Sequence, residues 1–147
     1  MKKHILLLLF ISIAYSVNAQ IVKPITWSYF VQKKTKTEAI LHIKAKLDKG
    51  WHVYAQNIKS EPMRLKFNYS PSKDFMLIGK TLQPKPIIKY DDVIKMQLAY
   101  FEKEVVFTQK LKLNKANTLI TAKVEFMVCN EVSCLPSDEI TLKIPVR

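Results

Sequence analysis

The chain has 147 residues, with 24 Lys and Arg against 12 Asp and Glu for a formal charge of +12, and it carries only two cysteines and two glycines. That length supports one domain with a real core and is too short for two. Gly50 and Gly79 alone cannot build a Gly-rich phosphate loop, and no G-x-S-x-G elbow or H-E-x-x-H helix is present.

The N-terminus reads as a secretory signal peptide over residues 1–19. Met1-Lys2-Lys3-His4 is basic, Ile5 to Val17 is apolar, and Val17-Asn18-Ala19 supplies small residues for cleavage. The apolar run is shorter than the ~20 residues that a spanning helix needs. The mature chain is therefore expected to begin at Gln20, to fold as a single domain over residues 20–147, and not to insert into a membrane. No cysteine stands at the cleavage point to take a lipid.

From there the pattern is that of β-strands. Ile25 to Val31 is a β-prone first strand, closed by polar residues 32–37. Ala39, Leu41, Ile43, Ala45 and Leu47 then alternate with Glu38, Ile40, His42, Lys44 and Lys46, which predicts a strand with one buried face. Asp48-Lys49-Gly50 turns the chain. In residues 51–56, Trp51, Val53 and Ala55 fall on one face and His52, Tyr54 and Gln56 on the other. Leu65, Phe67 and Tyr69 mark the next strand, and Phe75 to Gly79 a shorter apolar piece.

Residues 82–94 contain Pro84 and Pro86 and no clean period, and read as a long ordered loop with some edge pairing. Alternation resumes at Met96, Leu98 and Tyr100, Phe101-Glu102-Lys103-Glu104 reads as a turn, and residues 105–113 form the following strand. Ile120, Ala122, Val124, Phe126 and Val128 give the penultimate strand its buried face. Continued without a bulge, that period puts Cys129 on the accessible side. Ile140 to Val146 is the last strand, with Pro145 suited to an edge.

Seven or more short strands, turn signals about every ten residues and no helical period predict an all-β fold, an immunoglobulin-like antiparallel β-sandwich. Lys44, Lys46, Lys66, Lys110, Lys112, Lys123 and Lys143 alternate with apolar residues. They read as solvated strand faces and not as a nucleic-acid patch.

The only two cysteines, Cys129 and Cys134, enclose Asn130-Glu131-Val132-Ser133. Three chemistries suit such a pair in an oxidising compartment: a structural disulfide, a redox-active dithiol, or two metal ligands. A bridge across so short a loop stabilises by only about 2 kcal/mol on the chain-entropy model, and a short-range, exposed bridge is well placed for exchange. Spacing alone leaves staple and redox couple level. A zinc site needs further ligands, and His42 and His52, with nine residues between them, lack the H-x3–5-H pairing. No metal and no cofactor is expected. His42 is expected at the surface, and the relation of His52 to the cysteines is open.

Three stretches resemble the N-terminal periplasmic domain of the thiol:disulfide interchange protein DsbD and its stand-alone relatives. These are Asp48-Lys49-Gly50-Trp51-His52-Val53-Tyr54-Ala55-Gln56, then Tyr100-Phe101-Glu102 leading into Val105-Val106-Phe107, and above all Cys129-Asn130-Glu131-Val132-Ser133-Cys134-Leu135-Pro136. The resemblance implies an immunoglobulin-like fold in which Cys129 and Cys134 cycle between disulfide and dithiol in the periplasm. It implies a thioredoxin-like domain of a membrane thiol transporter as electron donor. Exported thioredoxin-fold proteins, among them disulfide isomerases and cytochrome-maturation reductases, are the implied acceptors.

By the same resemblance Cys134 forms the mixed disulfide and Cys129 resolves it. Tyr54 matches a tyrosine near the family's active site, and His52, Glu131 and Pro136 fall within the matching motifs. Ile94 and Lys95 stand where the family has a shielding aromatic followed by glycine, and Ser137 where a second proline is common. Because the sequence stops at Arg147, any donor is expected to be a separate protein. The rival reading is a non-enzymatic secreted β-sandwich that binds a partner and carries a small structural disulfide.

Overall fold

The computed structural model describes residues 23–92 and 94–147; the signal-peptide expectation for residues 1–19 lies outside them. Among the described residues there is no helix, and all strand pairing is antiparallel. The first sheet holds β1 (Ile25–Lys33), β2 (Glu38–Leu47), β8 (Glu104–Leu113) and β5 (Phe75–Leu82), in the spatial order β1-β2-β8-β5. A second, ordered β10-β3-β7-β6, holds β10 (Val128–Cys129), β3 (His52–Tyr54), β7 (Met96–Glu102) and β6 (Ile87–Asp91). The third is β11 (Asp138–Val146), β9 (Thr118–Phe126) and β4 (Lys66–Tyr69), in the order β11-β9-β4.

Alternation in β2, β8 and β9 generates the core. Leu41, Ile43, Phe107, Leu111, Ile120 and Val124 are fully or almost fully buried, while Lys46, Lys110, Lys112, Lys123 and Lys143 stay exposed on the opposite faces. Trp27, Phe67, Phe101 and Phe126 close around Phe107 and one another, with Trp27 and Phe126 ring centroids 5.2 Å apart and Phe67 and Phe107 5.0 Å apart. This is the immunoglobulin-like packing that the strand pattern predicts.

The second sheet continues the other two. Leu47 N–H donates to the Lys103 carbonyl at 2.7 Å, and His52 then faces Glu102, so the β2–β8 ladder runs on into β3–β7 after the turn at residues 48–51. On the opposite layer β10 follows β9 after Met127 alone, and it pairs with β3. At this end the two layers join edge to edge, which brings the cysteine segment onto the strand that carries His52.

Three local expectations change. Residues 87–91, placed in a loop with some edge pairing, form a regular edge strand, β6, paired with β7 from Ile87–Tyr100 to Asp91–Met96. Its prolines precede it, and because it is an edge strand open to solvent on both faces it has no burial period to display. Phe101 and Glu102, assigned to a turn, belong to β7. The change of direction is concentrated at Lys103, whose φ is 61°. The apolar piece at Phe75 runs on to Leu82 through a bulge at Gly79, φ 68°, where the register with β8 shifts.

Candidate functional site

Cys129 and Cys134 form a disulfide with their Cα atoms 4.0 Å apart. The loop between them is held by Asn130, whose Oδ1 accepts the N–H groups of Val132 and Ser133, both at 2.8 Å. Asn130 N–H donates to the Ser133 carbonyl at 2.9 Å, and Leu135 N–H to the Val128 carbonyl at 3.0 Å. An Asn side chain bonding its own backbone two and three residues on makes a compact turn without glycine. Asn130 is thus the organiser of the loop. The Asx signal was present in the sequence, although chemistry had pointed only to the cysteines.

The two sulfurs differ in access. Cys129 is 2 % exposed, whereas Cys134 lies on the exposed arm of the loop, next to a tip where Val132 is 92 % exposed. Unbroken alternation had put Cys129 on the accessible side. It does share the face of His52, opposite the core-facing Val53 and Val128, but the loop and the neighbouring strands cover that face. The strand also breaks at Met127, between β9 and β10.

The disulfide lies in an open groove formed by β3, β6, β7, the turn before β3 and the cysteine loop. His52 is the Cα partner of Cys129 across the β3–β10 pair. Its ring lies 4.7 Å from that of Tyr100 and 5.3 Å, edge-on, from that of Tyr54. Burial pushes the His52 pKa below its ordinary value; Glu102 works against that shift and Lys89 adds to it. Burial, seconded by Asp91 and Tyr100, raises the pKa of Tyr54, so its phenol stays protonated.

Ile94 lines the rim of the groove and is 43 % exposed, its N–H donating to Asp91 Oδ1 at 3.1 Å. Lys95 follows with φ 54°, backbone that glycine adopts without cost. Glu131 and Pro136 are both exposed on the cysteine loop and its exit. Of the predicted site residues, the structure gathers Cys129, Cys134, His52, Tyr54, Ile94 and Glu131 along the groove, with Pro136 just past it. His42 does not join them: it is half-buried on the outer face of the first sheet, stacked on Phe30 at 4.2 Å, which replaces the expected free surface position. Tyr100 and Glu102, which the sequence offers only as part of a matching stretch, and Lys89 and Asp91, which it does not single out, complete the groove, because their approach depends on how β6 and β7 pair with β3.

The family model described as "Thiol:disulfide interchange protein DsbD, N-terminal" matches residues 19–145. The chain belongs to the DsbD N-terminal family. No curated protein matches it significantly. Among solved structures it is similar to the N-terminal periplasmic domain of ScsB from Proteus mirabilis, with TM-score 0.60 and 18% identity, over 86% of this chain and 48% of that one. The chain thus spans about half the length of that relative. Two Neisseria meningitidis structures also resemble it. One is the DsbD N-terminal domain in its reduced form, with TM-score 0.52, 13% identity and coverage of 75% and 78% of the two chains. The other is a complex of the DsbD and PilB N-terminal domains, with TM-score 0.54, 11% identity and coverage of 86% and 88%. At these identities the structural likeness carries the fold, and membership of the family together with the Cys129–Cys134 disulfide indicates thiol–disulfide exchange. Among the described residues no helix is long and apolar enough to cross a membrane.

Proposed function

We propose that residues 20–147, released from a signal peptide at residues 1–19, act in the periplasm as an electron relay. In this reading the domain takes reducing equivalents from a thioredoxin-like domain of a membrane thiol transporter and passes them to exported thioredoxin-fold proteins. The observation that carries it is the asymmetry of the pair: one cysteine on the exposed arm of a loop, the other buried behind it, in a bridge that closes too small a loop to matter much to the fold.

The chemistry follows from that asymmetry. A donor thiolate attacks Cys134 Sγ, the Cys129–Cys134 bond breaks, and Cys129 departs with the electron pair and takes up a proton. The donor's second thiol loses its proton and attacks the donor sulfur of the mixed disulfide. Cys134 is then released and protonated, leaving a dithiol here and a disulfide in the donor. The reverse sequence reduces an acceptor. A DsbD N-terminal domain crystallised in a reduced form and another complexed with the PilB N-terminal domain support both the cycling and the docking of a protein partner.

Trapping tests the reading. Cys129→Ser is expected to accumulate mixed disulfides with exported thioredoxin-fold proteins through Cys134, and Cys134→Ser is expected not to. Equal trapping by the two variants overturns the assignment of roles. A bridge that stays closed in dithiothreitol buffers poised near the thioredoxin potential, roughly −270 mV, makes the pair a structural staple.

A further inference from the structure

Cys129 presents a problem that its partner does not. When the chain acts as reductant, Cys134 attacks an acceptor's disulfide and becomes bound to it, and release requires Cys129 to attack Cys134 as a thiolate. Cys129 is 2 % exposed, so its proton needs an acceptor within the groove.

We infer that His52 is that acceptor, the general base of the resolving step. Three observations converge on it. The β3–β10 register makes His52 the direct cross-strand partner of Cys129, which sets their Cβ atoms about 5 Å apart. Both side chains lie on the groove face, since the facing pair Val53 and Val128 occupies the core face. The imidazole is also held, its ring in contact with those of both Tyr54 and Tyr100. Imidazole is the side chain whose ordinary range spans neutrality, and burial lowers that of His52, so the neutral, proton-accepting form prevails at pH 7.

Charges of both signs share the groove. Glu102 comes from β7, Lys89 and Asp91 from β6, Asp48 and Lys49 from the turn before β3, and Glu131 from the cysteine loop. Glu102 favours the imidazolium and Lys89 opposes it. Tyr54 stays a neutral phenol.

The inference rests on the exchange reading above, and its step balances. His52 takes the proton of Cys129, the thiolate attacks Cys134 Sγ, the Cys129–Cys134 bond forms, and the bond to the acceptor breaks. The electron pair leaves on the acceptor sulfur, to which the imidazolium returns the proton. The chain goes from dithiol to disulfide and the acceptor from disulfide to dithiol. In the opposite direction the imidazolium protonates the departing Cys129.

The test uses the reduced chain mixed with dithionitrobenzoate in stopped flow. Attack by Cys134 releases one coloured thiolate and resolution by Cys129 releases the second; neither needs protonation to leave. In the native chain the second step is expected to rise with pH through an ionisation below the ordinary histidine value, ahead of any rise from thiol ionisation. His52→Gln is expected to remove that inflection and slow the second step at neutral pH about tenfold or more, with the first step unchanged. A native profile without the inflection overturns the inference even if the variant does not fold. So does a variant with the native profile, or one in which both steps slow alike. A native chain that releases only one equivalent overturns the exchange reading and this inference together.

Discussion

The two ends of the sandwich are built differently. Toward one end β2 and β8 run in register from Glu38–Lys112 to Lys46–Glu104 without a bulge, and every second side chain joins a core of Leu41, Ile43, Leu111, Ile120 and Ile144. Toward the other, the ladder is carried by β3, paired over three residues with β7 and over two with β10, after interruptions at residues 48–51, at Lys103 and at Met127. Long registers secure stability, while breaks in them re-aim side chains. The interrupted end is where Cys129, His52 and the loop of Asn130 meet, and a redox loop there can change state while the regular end holds the fold.

The sharpest way to break this division is to move stability to the wrong end. Leu111→Ala removes a fully buried side chain from the core of the regular end, and is expected to cost about 2–5 kcal/mol, read as a fall in the urea midpoint. Replacing both cysteines by serine should cost only about 2 kcal/mol in the same measurement while abolishing exchange. If the double variant proves less stable than Leu111→Ala, the disulfide is a structural element and the division fails.

Smaller changes sharpen the comparison within the groove. Asn130→Ala deletes the acceptor of two loop N–H bonds, at about 1 kcal/mol. The loop then holds the sulfurs together less well, and the bridge should open at a less reducing glutathione ratio. Lys95→Gly relieves a left-handed backbone at the groove rim and is expected to raise stability by about 0.5–1 kcal/mol, seen as a higher thermal midpoint.

Acidification bears on the same end. Because burial lowers the folded-state pKa of His52, the unfolded chain binds the proton more readily. Its contribution is present above the unfolded value near 6.5 and is lost as pH falls through the lower folded value. His52→Gln should flatten that part of the stability–pH curve.

Much of this was legible residue by residue. The buried faces of β2, β8 and β9, the turn at Asp48-Lys49-Gly50 and the cysteine motif were all readable, because strand alternation and turn chemistry are local properties. Strand β6 was legible only as some edge pairing within a loop, since a strand open on both faces leaves no period. The burial of Cys129 was misread because alternation says which face a side chain takes and not what covers that face.

By itself, then, the sequence determined an all-β chain with its core residues, and a cysteine pair in a short loop that resembles a redox family. Only the tertiary structure decided that Cys129 is the buried sulfur and Cys134 the open one. It also set His52 directly across from Cys129 and built the groove from β6 and β7. Those are matters of long-range register between strands far apart in the chain. Register is set by which strands pair and where their ladders break, which no local period encodes.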